Sequence, residues 1–196
     1  SSSGTLGTNG WFVDTVSVWL NTSDGTSGVY ITYYRINNGA WNIYTPPISV
    51  SNDGVYTLEY YSVDNAGNIE IINSVIIKID KTKPTSTHTI SGTLGNNTLY
   101  VSGVTITLSP SDATSGINVT QHNITKDGAW GTWTNYTSPF SIIDNGNYTI
   151  YWDVTDYAGN YNNGFFNFTI DKNPSITKYS SSGTLGTNGW FVDTVS

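Results

Sequence analysis

The sequence predicts an all-β protein built from tandem two-sheet sandwiches, and three of its features carry that expectation. Aromatic residues reach 14% and charged residues only 11%, with Ser, Thr, Asn and Gly filling much of the remainder. That mixture suits pleated strands and turns, and no window repeats apolar residues at spacings of three and four. Apolar residues instead alternate with polar ones at a period of two. The chain also repeats itself: residues 1–17 return letter for letter as 180–196, an offset of 179.

A looser copy divides that long period. The pentapeptide SGTLG at Ser3 recurs at Ser91 and Ser182, steps of 88 and 91 residues, about the length of a small β-sandwich domain. Early in each unit, TVSVWLNTSDGTSGV aligns with VTITLSPSDATSGI and sets Asp24 on Asp112. Val16, Val18 and Leu20 then share one face, as do Val104, Ile106 and Leu108. Next, NNGAW falls on KDGAW after Asn-Gly and Asp-Gly turns, setting Trp41 on Trp130. YTPPISV follows on YTSPFSI, and GVYTLEYYSVDNAGN on GNYTIYWDVTDYAGN. The latter gives inward Tyr56, Leu58 and Tyr60, with counterparts Tyr148, Ile150 and Trp152. The last strand matches Val75, Ile77 and Ile79 to Phe166, Phe168 and Ile170, and sets Asp80 on Asp171.

The order S-D-x-x-S-G, G-A-W, D-x-A-G-N and a last strand closing on I-D resembles the Ig-like tandem repeats of large bacterial and archaeal cell-surface proteins. The resemblance spans both units. It implies Ig-like sandwiches with an extracellular spacer, adhesive or coat role, and no catalytic residue. It also implies a frame: residues 1–84 form a unit lacking its first strand, 85–174 a complete unit, and 175–196 the first strand and opening of the next copy. With no methionine, the segment is expected to be processed or to come from inside a longer chain. Identical ends fit a covalent array of copies, or donor-strand exchange in which the tail of one subunit completes the first unit of the next. In the second case Ser180, Leu185, Trp190, Phe191 and Val192 make the assembly contact. Either way the expected partner is another copy of the chain.

Charge narrows the other partners. Seven scattered Lys and Arg residues, within a net charge of −7, cannot form the basic stripe that phosphate binding needs. No apolar run approaches the ~18 residues of a membrane-spanning helix. Cysteine is absent, which rules out disulfides and thiolate metal sites. An enzyme is not expected, because His88 and His122 have no converging catalytic partners.

Three further sets of residues are candidates for chemistry. In an Ig-like topology Asp112 and Asp156 belong near the linker residue Asp80. Asp24 and Asp64 likewise belong near the Asp171 of a preceding copy. Such clustered oxygens suit Ca²⁺, while Lys81, Lys83 and Lys172 offer to neutralise them instead. Asn-x-Ser/Thr sequons occur at Asn21, Asn96, Asn118, Asn123, Asn135, Asn147 and Asn167, and strand parity turns those in strands towards solvent. Glycosylation is expected there, mostly on the second unit. Trp41 and Trp130 are expected to cap the cores, with Tyr61 and Tyr151 exposed for lateral association. Lys78 is read as an inward residue whose counterpart, Thr169, excludes a shared isopeptide crosslink.

Overall fold

The computed structural model describes residues 1–193. Along the first unit run β1 (Ser2–Ser3), β2 (Trp11–Phe12), β3 (Val16–Val18), β4 (Val29–Ile36), β5 (Asn42–Ile43), β6 (Ile48–Val50), β7 (Gly54–Asp64) and β8 (Asn73–Ile79). The second contributes β9 (Thr85–Ser91), β10 (Val104–Ser111), β11 (Ile117–Lys126), β12 (Ala129–Trp130), β13 (Thr134–Asn135), β14 (Phe140–Ile142), β15 (Gly146–Asp156) and β16 (Tyr161–Ile170).

Each unit is a sandwich of a smaller and a larger sheet. In the first, β1-β3-β6 packs on β2-β8-β7-β4-β5; in the second, β9-β10-β14 packs on β12-β11-β15-β16, with β13 also paired to β11. The alternating apolar residues explain the layers. Val16, Val18, Ile48 and Val50 from one sheet meet Leu58, Ile77 and Ile79 from the other. Val104, Ile106, Leu108 and Ile142 likewise meet Tyr148, Ile150, Trp152, Phe166, Phe168 and Ile170. A tyrosine ties both sandwiches in the same way: Tyr44 Oη accepts the Leu20 N–H at 2.9 Å, and Tyr136 Oη the Leu108 N–H at 3.0 Å.

The fold departs from the sequence reading in four places. Val75 is exposed although its parity is inward. Its counterpart Phe166 is covered by the His88 ring of β9, stacked at 3.7 Å. Residues 175–179 form no strand; the partner this segment needs is the counterpart of β10, which by the offset starts at Val195, outside the described residues. Trp41 and Trp130 do not cap the cores. They lie on the outer faces of the larger sheets, over the outward Tyr61 and Tyr151 at 4.7 and 4.6 Å, and half-bury both tyrosines. Lys78 also points outward, its Nζ 5.8 Å from the Trp11 ring.

Candidate functional site: the domain junction

The two units meet end to end, and residues from several segments build the contact. From the first unit come the loop between β1 and β2 and the linker after β8. From the second come the loop after β10 and the β15–β16 hairpin. Thr8 donates its backbone N–H to Ala158 O at 2.9 Å and its hydroxyl to Tyr157 O at 2.8 Å, while Asn9 Nδ2 donates to Tyr157 O at 2.9 Å. Gly7 makes this approach possible, because a Cβ there would stand 2.2 Å from the Ala158 carbonyl oxygen.

The linker is fixed as closely. Asp80 donates its N–H to Phe12 O and is fully buried. Its Oδ2 accepts the Ser115 N–H at 3.0 Å, and its Oδ1 the Thr82 N–H at 3.1 Å. Asn160 Nδ2 reaches across to Asp80 O at 3.0 Å and Thr82 O at 3.2 Å, and Asn162 Nδ2 to Pro84 O at 2.9 Å. The carbonyls of the buried Asp80 and Pro84 thus find partners in the next domain, as burial requires.

Asp80, Asp112 and Asp156 converge in this contact, each offering a carboxylate oxygen within 4.8 Å of the others. Asp112 Oδ1 accepts the N–H groups of Thr114, Ser115 and Gly116, and Asp156 accepts the Asn160 backbone and side-chain amides. Burial pushes the Asp80 carboxyl above its ordinary value, with the neighbouring Asp112 adding to it and hydrogen bonds from Ser115 and Thr82 opposing it. Neither Lys81 nor Lys83 forms an ion pair with the group, unlike Arg35 with Glu59 and Lys126 with Asp144. Three carboxylates facing one another without a basic partner have the chemistry of a hard divalent-cation site.

Asp24 and Asp64 form the equivalent end of the first unit with most of the same bonds. Asp24 Oδ1 accepts Thr26, Ser27 and Gly28 N–H groups, and Asp64 accepts Asn68 and Ala66. Those bonds hold both carboxyls below the ordinary value. Asp171 closes the far end of the second unit, donating its N–H to Tyr100 O and accepting the Asn173 N–H. The structure does not bring it to Asp24 or Asp64.

Asn21, Asn96, Asn118, Asn135, Asn147 and Asn167 are exposed. Asn123 is buried, against its reading as a solvent-facing sequon. Its parity is outward, but the Trp130–Gly131 segment folds over it and Gly131 O takes its Nδ2 at 2.9 Å. The contacts of Thr8, Asn9 and Gly7 were not foreseen either. They are loop-to-loop bonds between units, and no periodicity marks them.

The carbonyl-bonded turn that opens each unit forms three times. Gly7 N–H donates to Trp11 O, Gly95 to Leu99 O and Gly186 to Trp190 O, at 2.8, 2.8 and 2.7 Å. In the tail, Leu185 pairs with Phe191, while Ser180, Trp190 and Val192 are exposed.

No family model and no curated protein matches the chain. Solved structures are similar in architecture only. Fibronectin(III)-like modules of Clostridium thermocellum CbhA align over 91% of this chain and 97% of theirs, at 15% identity and a TM-score of 0.34. A 1.5-MDa bacterial ice-binding adhesin aligns over 87% of this chain and 59% of its own, at 16% identity and a TM-score of 0.38. The central fibronectin-III array of RIM-binding protein gives 95% and 75%, 11% identity and 0.28. The chain is a tandem of Ig-like β-sandwiches, and no helix among the described residues is long and apolar enough to cross a membrane.

Proposed function

We propose that the chain is the repeating double-domain segment of a long extracellular structural protein, a filament, sheath, stalk or surface layer, whose copies follow one another covalently. The exact return of residues 1–17 as 180–196 carries this reading. In the first domain β1 gives β3 a partner of 2 residues, where β9 in the second has 7. Past it, Ser1, Trp19, Leu20, Tyr60 and Glu70 line a cleft of about 610 Å³. Shifting β9 by the 91-residue step lands on 176–182, the segment leading into the repeated sequence. The turn beyond it is preformed, yet Trp190 is 76% exposed where Trp11, docked on β8, is 8% exposed. Short Pro-containing linkers at 81–84 and 172–174 then give a semi-rigid rod.

Calcium at the junctions belongs to the same proposal, held by Asp80, Asp112 and Asp156 within the chain. Asp171 of one copy would join Asp24 and Asp64 of the next. The cation would offset the mutual repulsion of carboxylates that have no basic partner.

A chain extended by a second copy of residues 18–196 tests the array. Its internal first domain should exchange the amides of Val18–Asn21 counterparts far more slowly than the terminal one. Equal exchange in both would refute the reading. An adhesin stalk or tip that binds a carbohydrate or a partner protein is the second reading, favoured by the outward Trp130.

A further inference from the structure

The outer face of the second domain's larger sheet carries a groove of about 780 Å³. One wall is Trp130; the other is the loop bearing Leu94 and Leu99. Thr125, Thr149, Asn147, Asn167 and Thr169 line it between them, and none of its lining residues is charged. Strand register orders that floor. Trp130 pairs with Thr125, Thr125 with Thr149, and Thr149 with Asn167, so the row spans about 14 Å from three strand spacings.

An aromatic strip runs beside this row. Tyr151 stands opposite Phe165, their rings 5.7 Å apart, and Trp130 stacks on Tyr151 at 4.6 Å. Phe165 and Trp130 are 66% and 64% exposed. Such a contiguous apolar patch is unusual on a free surface and marks something that covers it. The first domain covers its own: the Arg35 guanidinium lies 4.6 Å over Trp41 and pairs with Glu59 at 2.7 Å. At the corresponding positions the second domain has Asn123 and Tyr151, so that lid is missing.

We propose that an N-linked glycan on Asn167 is the missing cover, lying along the Phe165–Tyr151–Trp130 strip. Asn167 is exposed on the groove floor, and no hydrogen bond from a described residue engages its carboxamide. Asn147, the other sequon in the groove, is engaged by Asp127 and Thr169. Phe165, Asn167 and Thr169 share one strand face at steps of two, so the first sugar ring meets an aromatic face beside its own attachment point. An uncharged floor of hydroxyls and amides between apolar walls suits a neutral saccharide. Thr125 Oγ1, buried on that floor without a partner, supplies a donor or acceptor for it. In the modification Asn167 Nδ2 attacks the anomeric carbon of a diphosphate-linked oligosaccharide. The C–N bond forms as the C–O bond to the diphosphate breaks, and a transferase base takes the amide proton.

This inference rests on reading the chain as an extracellular glycoprotein, and one experiment separates the two. Protein from the native source is mapped for glycan occupancy by mass spectrometry. It is then footprinted with hydroxyl radicals before and after enzymatic deglycosylation, beside N167Q made in the same host. Expected are an occupied Asn167 and oxidation of Trp130 and Phe165 that rises several-fold in N167Q and after deglycosylation, with Trp41 unchanged. A bare Asn167 with other sequons occupied overturns this inference alone. Bare sequons throughout overturn it together with the glycoprotein reading. An occupied Asn167 with equal footprints overturns the lane along the strip.

Discussion

Asp112 and Asp24 are the same residue of the repeat, as are Asp156 and Asp64, and their turns share most of their bonds. The two ends differ in what lies against them. At the first domain's open end the turn amides hold Asp24 and Asp64 below the ordinary carboxylate value. At the junction Asp80 joins the pair, and burial raises its carboxyl above that value. Local sequence sets the hydrogen bonds of each turn; the neighbouring domain decides whether its charge is solvated.

Calcium should sharpen that contrast most. At a concentration about 100-fold above its Kd it should stabilise the junction by about 2.7 kcal/mol, read as a rise in melting temperature that chelator reverses. D112N should abolish the rise, whereas D24N should not change it in the single-copy chain. Next in size, D156A takes an acceptor from the half-buried Asn160 backbone and side-chain amides and should cost the second domain about 2 kcal/mol in urea unfolding. D64A, whose partners face water, should cost a fraction of that.

Uncoupling the domains is a smaller effect. N160A removes the bonds to the linker carbonyls and should reduce the coupling between the two unfolding transitions by about 1 kcal/mol. The matching N68A should leave it intact. G7A should separate the domains in the same assay, since Ala158 O blocks any Cβ there.

The smallest expected difference is in pH dependence. Burial lowers the pKa of His122, whose ring stacks on Phe140 at 4.3 Å, so the folded second domain favours the neutral imidazole. Its stability is therefore full above the unfolded value of 6.5 and is lost as pH falls from there towards the folded pKa. H122Y, which installs the counterpart of Tyr34, should reduce that slope in thermal melts between pH 7 and 5 and leave the part due to His88, whose pKa burial also lowers.

The sequence made the repeat and the strand parity legible through period and alignment, and the meeting of Asp80 with Asp112 and Asp156 through the Ig-like topology that the resemblance implies. Parity also turned Asn123 the right way, but it could not show that a neighbouring segment folds over that face. Trp130 was misplaced for the same reason: a tryptophan just after a turn lies on whichever face its strand pairing dictates. The loop contacts of Thr8 and Asn9 depend on how two domains dock, which no single unit encodes.

The most direct measurement of the central claim is the denatured mass of the protein from its native source after deglycosylation. An array of covalently continuous copies predicts a mass many times 21.3 kDa that survives boiling in detergent. A polymer that collapses to a single 21.3 kDa subunit would contradict it and mean that the tail strand is lent between separate chains.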